Sequence, residues 1–105
     1  WLPQGVPPMG MERAIAYIRN HRQRVHGDVP IAIGMNSPWL YIGTPTFEVP
    51  AGTCTGTATE IADTIRQYQQ LGVSHTGVRF RSRSCEEFLD QIEAFGSEVA
   101  PLLTA

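Results

Sequence analysis

Apolar side chains at Met11, Ala14, Ile15, Ile18 and Val25, with Arg22 in the same row, recur at three- and four-residue steps. That spacing predicts an amphipathic helix from Met9 to His26, closed by Gly27 where a left-handed cap belongs. Trp1 to Pro8, with three prolines and a glycine, reads as loop. Ile31 to Met35 is a short apolar run expected to form a strand, with Pro30 tolerable only at its beginning. Ser37 to Thr55 shows no clean period and holds Pro38, Pro45 and Pro50 alongside Trp39, Tyr41 and Phe47. Connections of this length are usually functional loops or linkers, and the aromatics favour an ordered loop over a pocket.

Periodicity returns at Thr57-Ala58-Thr59-Glu60, a Thr-x-x-Glu capping box that opens a helix carrying Ile61, Ala62, Ile65, Tyr68 and Leu71 on one face. Gly72 stops it, and His75 to Phe80 reads as a second short strand. Ser84-Cys85-Glu86-Glu87 is a further capping box. It starts a third helix expected to bury Phe88, Leu89, Ile92, Phe95, Val99, Leu102 and Leu103, with Pro101 disturbing only its last turn. The series helix, strand, loop, helix, strand, helix is the grammar of an α/β protein with parallel strands. Chemistry in such a fold sits beyond the carboxyl end of a strand, here Arg81 to Ser84. Two strands cannot cover three apolar helix faces, so residues 1–105 read as one segment of a larger barrel or sheet, or as a homo-oligomer.

Composition narrows the function classes. A chain of 105 residues with net charge -2 and 42% hydrophobic residues gives no support to a nucleic-acid surface. No apolar run reaches the roughly 18 residues of a membrane span. The start at Trp1 lacks a signal-peptide layout, and Cys54 and Cys85 form no CxxC pair, so two thiols in a reducing, cytoplasmic compartment are expected. The three histidines offer no ligand spacing, so no metal is expected, and no Ser-His-Asp or Cys-His arrangement is apparent.

The ordered series Gly56-Thr57-Ala58-Thr59-Glu60-Ile61-Ala62, Tyr68, Leu71-Gly72-Val73, Val78 to Ser84 and Glu98 to Leu103 resembles the carboxyl-terminal end of luciferase-like monooxygenases. Within them it is most similar to the oxidoreductases that use the deazaflavin coenzyme F420. The resemblance implies the C-terminal part of a (β/α)8 TIM barrel, coenzyme F420 or FMN as cofactor, and a small organic substrate. The strands that supply much of that family's catalytic constellation have no counterpart here, so no catalytic residue is assigned.

Strand parity then selects candidate contacts. Val78 and Phe80 are expected to face helices, and Arg79 and Arg81 to face inward near the strand's carboxyl end. An inward arginine needs an anion. A cofactor or substrate phosphate serves, as does an Asp or Glu of a neighbouring strand. On the first strand Ile31, Ile33 and Met35 are expected toward helices, with Ala32, Gly34 and Asn36 inward. Asn36 then either hydrogen-bonds a cofactor or caps the following turn. Ser82, with the amides at the start of the third helix, is a further anion contact, although Ser84 reads first as a cap. Trp39 and Tyr41 either line an aromatic pocket or plug the barrel rim. The candidate cofactor-binding set is Arg81, Arg79, Asn36 and Ser82.

Overall fold

A computed structural model describes residues 1–3, 8–27 and 29–104. The elements in chain order are α1 (Pro8–His26), β1 (Gly34–Ile42), β2 (Cys54–Gly56), α2 (Ala58–Gln70), β3 (His75–Phe80) and α3 (Cys85–Ala94). A single π-helical turn, Phe95–Val99, then leads into α4 (Ala100–Leu103). The strands make a small parallel sheet in the order β2-β1-β3, so the chain is a mixed α/β protein. β1 and β2 pair in parallel with Leu40 opposite Cys54 and Ile42 opposite Gly56. The loop expected over Trp1–Pro8 falls in part on residues 4–7, which lie outside the described residues.

Cap chemistry sets most of these boundaries. α1 ends on Gly27 at φ 67°, its N–H donating to the Gln23 carbonyl, a single left-handed closure. α2 ends on Gly72 at φ 105°, with Gly72 N–H donating to Gln69 O and Val73 N–H to Tyr68 O, the paired bonds of a Schellman motif. Both positions need a residue without a Cβ penalty. At its start Thr57 Oγ1 accepts from Glu60 N–H at 3.3 Å. Ser84 caps α3 in the same way, accepting from Glu87 N–H at 3.1 Å. The return half of the Ser84 box is displaced by one residue: Glu87 Oε1 accepts from the Arg83 amide at 2.9 Å.

The chain divides into two compact units, Trp1–Asn36 with Gln67–Gly77, and Ser37–Arg66 with Val78–Ala105. In the first, Met11 and Ile15 of α1 and Tyr68 at the end of α2 bury against Ile33, Met35 and Val73. The helix-facing parity expected for Ile33 and Met35 is therefore the observed one, and Ile31 packs at the edge of the same cluster. In the second, Leu40, Ile61, Ala62, Ile65, Phe80 and Val99 form the core, with Val78 and Phe95 packed against it.

Four expectations require correction. The first strand runs over Gly34–Ile42 rather than Ile31–Met35, and so takes in Pro38 and much of the segment read as irregular. Met35 and Ser37 are buried, Trp39 is exposed and Leu40 is buried. The inside–outside alternation slips by one residue beside Pro38, as a β-bulge makes it do. That slip is what erased the period. Second, Cys54–Gly56 is a strand, not loop. Third, the helical face carrying Phe88, Leu89 and Ile92 is exposed, and Gln91 is the buried side chain of α3 instead. Its amide binds Ile42 at both ends: Ile42 N–H donates to Gln91 Oε1 at 2.8 Å, and Gln91 Nε2 donates to Ile42 O at 3.2 Å. The hydrogen-bonding needs of a β1 backbone residue thus fix which side of the helix turns inward. Pro101 also acts earlier than its own turn. Having no N–H, it cannot continue the α ladder, and just before it the Ala100 N–H reaches back five residues to Phe95 O.

Candidate functional site

β1 and β3 of the second unit bring an indole and two guanidinium groups together. The Arg79 guanidinium carbon lies 4.8 Å from the centre of the Trp39 ring, and that of Arg81 lies 4.4 Å from it. Alternation along β3 puts residues 79 and 81 on one face, and Trp39 on the neighbouring strand supplies the plate they share. Arg79 is held further by two donations to the Ser37 carbonyl, from Nε at 3.0 Å and Nη2 at 2.7 Å. Ser37 is almost fully buried, so this bond locks the stem of Arg79 against β1.

Arg81 is held more loosely. Its backbone N–H donates to Leu40 O at 2.8 Å, extending the β1–β3 register by one residue past the end of the strand. Its Nε donates to Thr53 Oγ1 at 3.4 Å, while that hydroxyl donates to Pro50 O at 2.7 Å. A bond that long leaves most of the donor capacity of the guanidinium available to an incoming anion. Among the described residues the ion pairs are Arg66–Asp63 and Arg83–Glu87, each at 2.8 Å, so neither Arg79 nor Arg81 meets a carboxylate there. Two half-buried cations are therefore concentrated on one aromatic ring at the carboxyl end of a parallel strand.

A second cation–aromatic contact borders the first. The Arg83 guanidinium carbon is 4.3 Å from the Phe47 ring centre, and Tyr41 meets Phe47 edge-on at 5.4 Å. Arg83 Nη2 also reaches Glu87 Oε2 and, at 3.5 Å, Thr46 Oγ1. The hydrogen bond from Arg83 holds the Glu87 carboxyl below its ordinary pKa, and the same bond raises that of Arg83. Arg83 is thus satisfied, and it tethers the loop after β1 to the start of α3.

Of the four cofactor contacts expected from sequence, Arg79 and Arg81 come together. Ser82 is exposed in the connection after β3. Asn36 belongs to the first unit, where its Oδ1 lies 2.8 Å from the point a Cβ on Gly77 would occupy. Sequence reading placed Trp39 in a pocket or at a rim without pairing it to either arginine, counted Phe47 only among the aromatics of an ordered loop, and passed over Thr53. Arginines at 79, 81 and 83 opposite aromatics at 39, 41 and 47 were the available signal, obscured by the slip at Pro38. Among the described residues no His, Cys, Asp or Glu group is arranged to hold a metal ion, and no helix is long and apolar enough to cross a membrane. Comparison with protein-family models, with curated proteins and with solved structures finds no match to this chain.

Proposed function

We propose that the chain is the carboxyl-terminal segment of a luciferase-like (β/α)8 barrel oxidoreductase, and that Arg81, with Arg79 beside it, receives the phosphate or acidic tail of coenzyme F420 or FMN. The observation that carries this reading is the pair of arginines over Trp39 with no carboxylate partner among the described residues. The donor set suits such a group: planar guanidinium forks bind phosphate or carboxylate through two parallel bonds, and the indole beneath holds both forks close together. In this family the cofactor carries hydride or oxygen chemistry on a small organic substrate. This chain's part is to bind and orient. Arg79, fixed on the Ser37 carbonyl, supplies a preset charge, and Arg81, with its weak Thr53 contact, moves onto the anion. Free thiols at Cys54 and Cys85 accord with a reducing, cytoplasmic setting for this reading.

Calorimetric titration of FMN, coenzyme F420 and inorganic phosphate into wild type and Arg81→Ala tests it. The expected loss is ~1.5–3 kcal/mol, the worth of a hydrogen bond to a charged group, with little change in thermal stability. Unchanged affinity together with a large loss of stability would make Arg81 a structural residue and end the proposal.

A second reading, a non-catalytic α/β module that dimerises through its open sheet, is favoured by one feature: β3 is an edge strand in the order β2-β1-β3. Its signature is hydrogen-exchange protection of the His75–Phe80 amides that grows with protein concentration. Protection independent of concentration would remove it.

A further inference from the structure

The exposed side of α3 is an apolar strip set in acid. Phe88 is 40%, Leu89 57% and Ile92 44% exposed. Val78, Phe80, Phe88, Ile92, Phe95 and Gly96 line a groove of about 380 Å³. A side chain at Gly96 would meet nothing within 4 Å, so the groove is open at that end. Glu86, Asp90 and Glu93 are exposed around the strip, and from Cys85 to Leu103 there is no lysine or arginine. Contiguous apolar surface rimmed by one sign of charge marks an association face.

α1 carries the complementary pattern. Its buried row is Met11 and Ile15, continued by the half-buried Ile18. Positions two residues further on fall on the opposite side of a 3.6-residue helix. They are Arg13, Tyr17, Asn20 and Arg24, all exposed, with Tyr17 at 71% and stacked on His21 at 6.3 Å between ring centres. Glu12 is the sole acid of this helix. At 1.5 Å per residue, Arg13 and Arg24 are about 16 Å apart along the axis, and Glu86 and Glu93 about 10 Å. A basic helix with a central aromatic therefore faces outward in one unit, and an acidic apolar groove faces outward in the other.

We propose that the α3 groove is occupied by α1 of a second copy of this chain, with Tyr17 seated against Phe88 and Ile92 and the flanking arginines paired with Glu86, Asp90 and Glu93. Pairing α3 with its own copy would set acid on acid, whereas the α1–α3 combination joins opposite charges. The contact uses neither Trp39, Arg79 nor Arg81, so it stands or falls apart from cofactor binding.

Analytical ultracentrifugation of three proteins tests it: wild type, Asp90→Arg/Glu93→Arg and Arg13→Glu/Arg24→Glu. Wild type is expected to self-associate, more weakly as salt rises. Each double variant alone should associate at least about tenfold more weakly, since two attractive pairs become repulsive. The two variants mixed should recover association with one another, because the reversed charges again face opposite partners. All four substituted positions are exposed, and circular dichroism checks that each variant retains its helices. For a substitution that unfolds the chain, Leu89→Gln on α3 or Tyr17→Ser on α1 serves in its place, with the same weakening expected. A wild type that stays monomeric into the millimolar range overturns the proposal. So does association that is indifferent to the charge reversals, or a mixture that fails to recover it.

Discussion

Gln91 offers the sharpest test of how α3 is oriented. Methionine at this position keeps the length of the side chain and removes both of its hydrogen bonds to Ile42. Ile42 then keeps a backbone donor and acceptor that faced Gln91 at 2.8 and 3.2 Å, with no amide to meet them. Leaving a buried polar group unpaired costs about 1–3 kcal/mol. Ile42 is half-buried and water reaches part of it, which sets each of the two losses near the lower end. The expected destabilisation is about 1–2 kcal/mol after a small gain from the more apolar side chain. For a domain of this size that lowers Tm on the order of 5–15 °C. Urea unfolding followed by circular dichroism reads the free energy, and hydrogen exchange at the Ile42 amide reports the bond itself. Gln91→Glu is the companion variant: it keeps an acceptor for Ile42 N–H but sets a carboxylate against the Ile42 carbonyl, and it should be no better tolerated than methionine. A Gln91→Met protein within about 0.5 kcal/mol of wild type, with Ile42 exchange unchanged, would refute the assignment of Gln91 as the residue that orients the helix.

Two pH dependences follow from groups the fold perturbs. Burial raises the Tyr68 hydroxyl above its ordinary 10.0, so the unfolded chain ionises first and stability is lost as pH rises past that value. Tyr68→Phe should flatten the alkaline limb of a stability–pH curve, and an unchanged limb would assign it to another group. Glu87 is held below its ordinary 4.5 by Arg83, so its contribution is present above that pH and fades as pH falls beneath it. The difference in urea midpoint between wild type and Glu87→Gln should therefore shrink in acid; a constant difference would mean the pair contributes nothing through ionisation.

Elements whose limits are written in local chemistry were legible in the sequence. β3 occupies the expected residues His75–Phe80, bounded by the Gly72 stop and the Ser84 cap. α1 and α2 likewise follow from apolar spacing and terminal glycines. β1 was mostly missed, with only Gly34 and Met35 of its nine residues in the expected strand, because its period breaks where Pro38 enters, and periodicity cannot see through a one-residue slip. The buried face expected for the last helix held at Phe95, Val99, Leu102 and Leu103 but failed at Phe88, Leu89 and Ile92, for a different reason. Apolarity favoured Phe88, Leu89 and Ile92, but the strand backbone beside the helix needed hydrogen bonds, and Gln91 provides them. At the candidate site the parity of Arg79 and Arg81 was readable within one strand. Their meeting on Trp39 was not, since it depends on which strand lies alongside and in what register.

The stacking of Arg79 and Arg81 on Trp39 also fixes the electrochemical character of that ring. Taking an electron from an indole leaves a cation, and here two positive charges stand 4.4 and 4.8 Å from its centre. At an effective dielectric constant of about 20, each adds about 3.5 kcal/mol to the cost of that oxidation. Trp39 is thereby a reluctant electron donor. A radical formed elsewhere in the protein would not come to rest there.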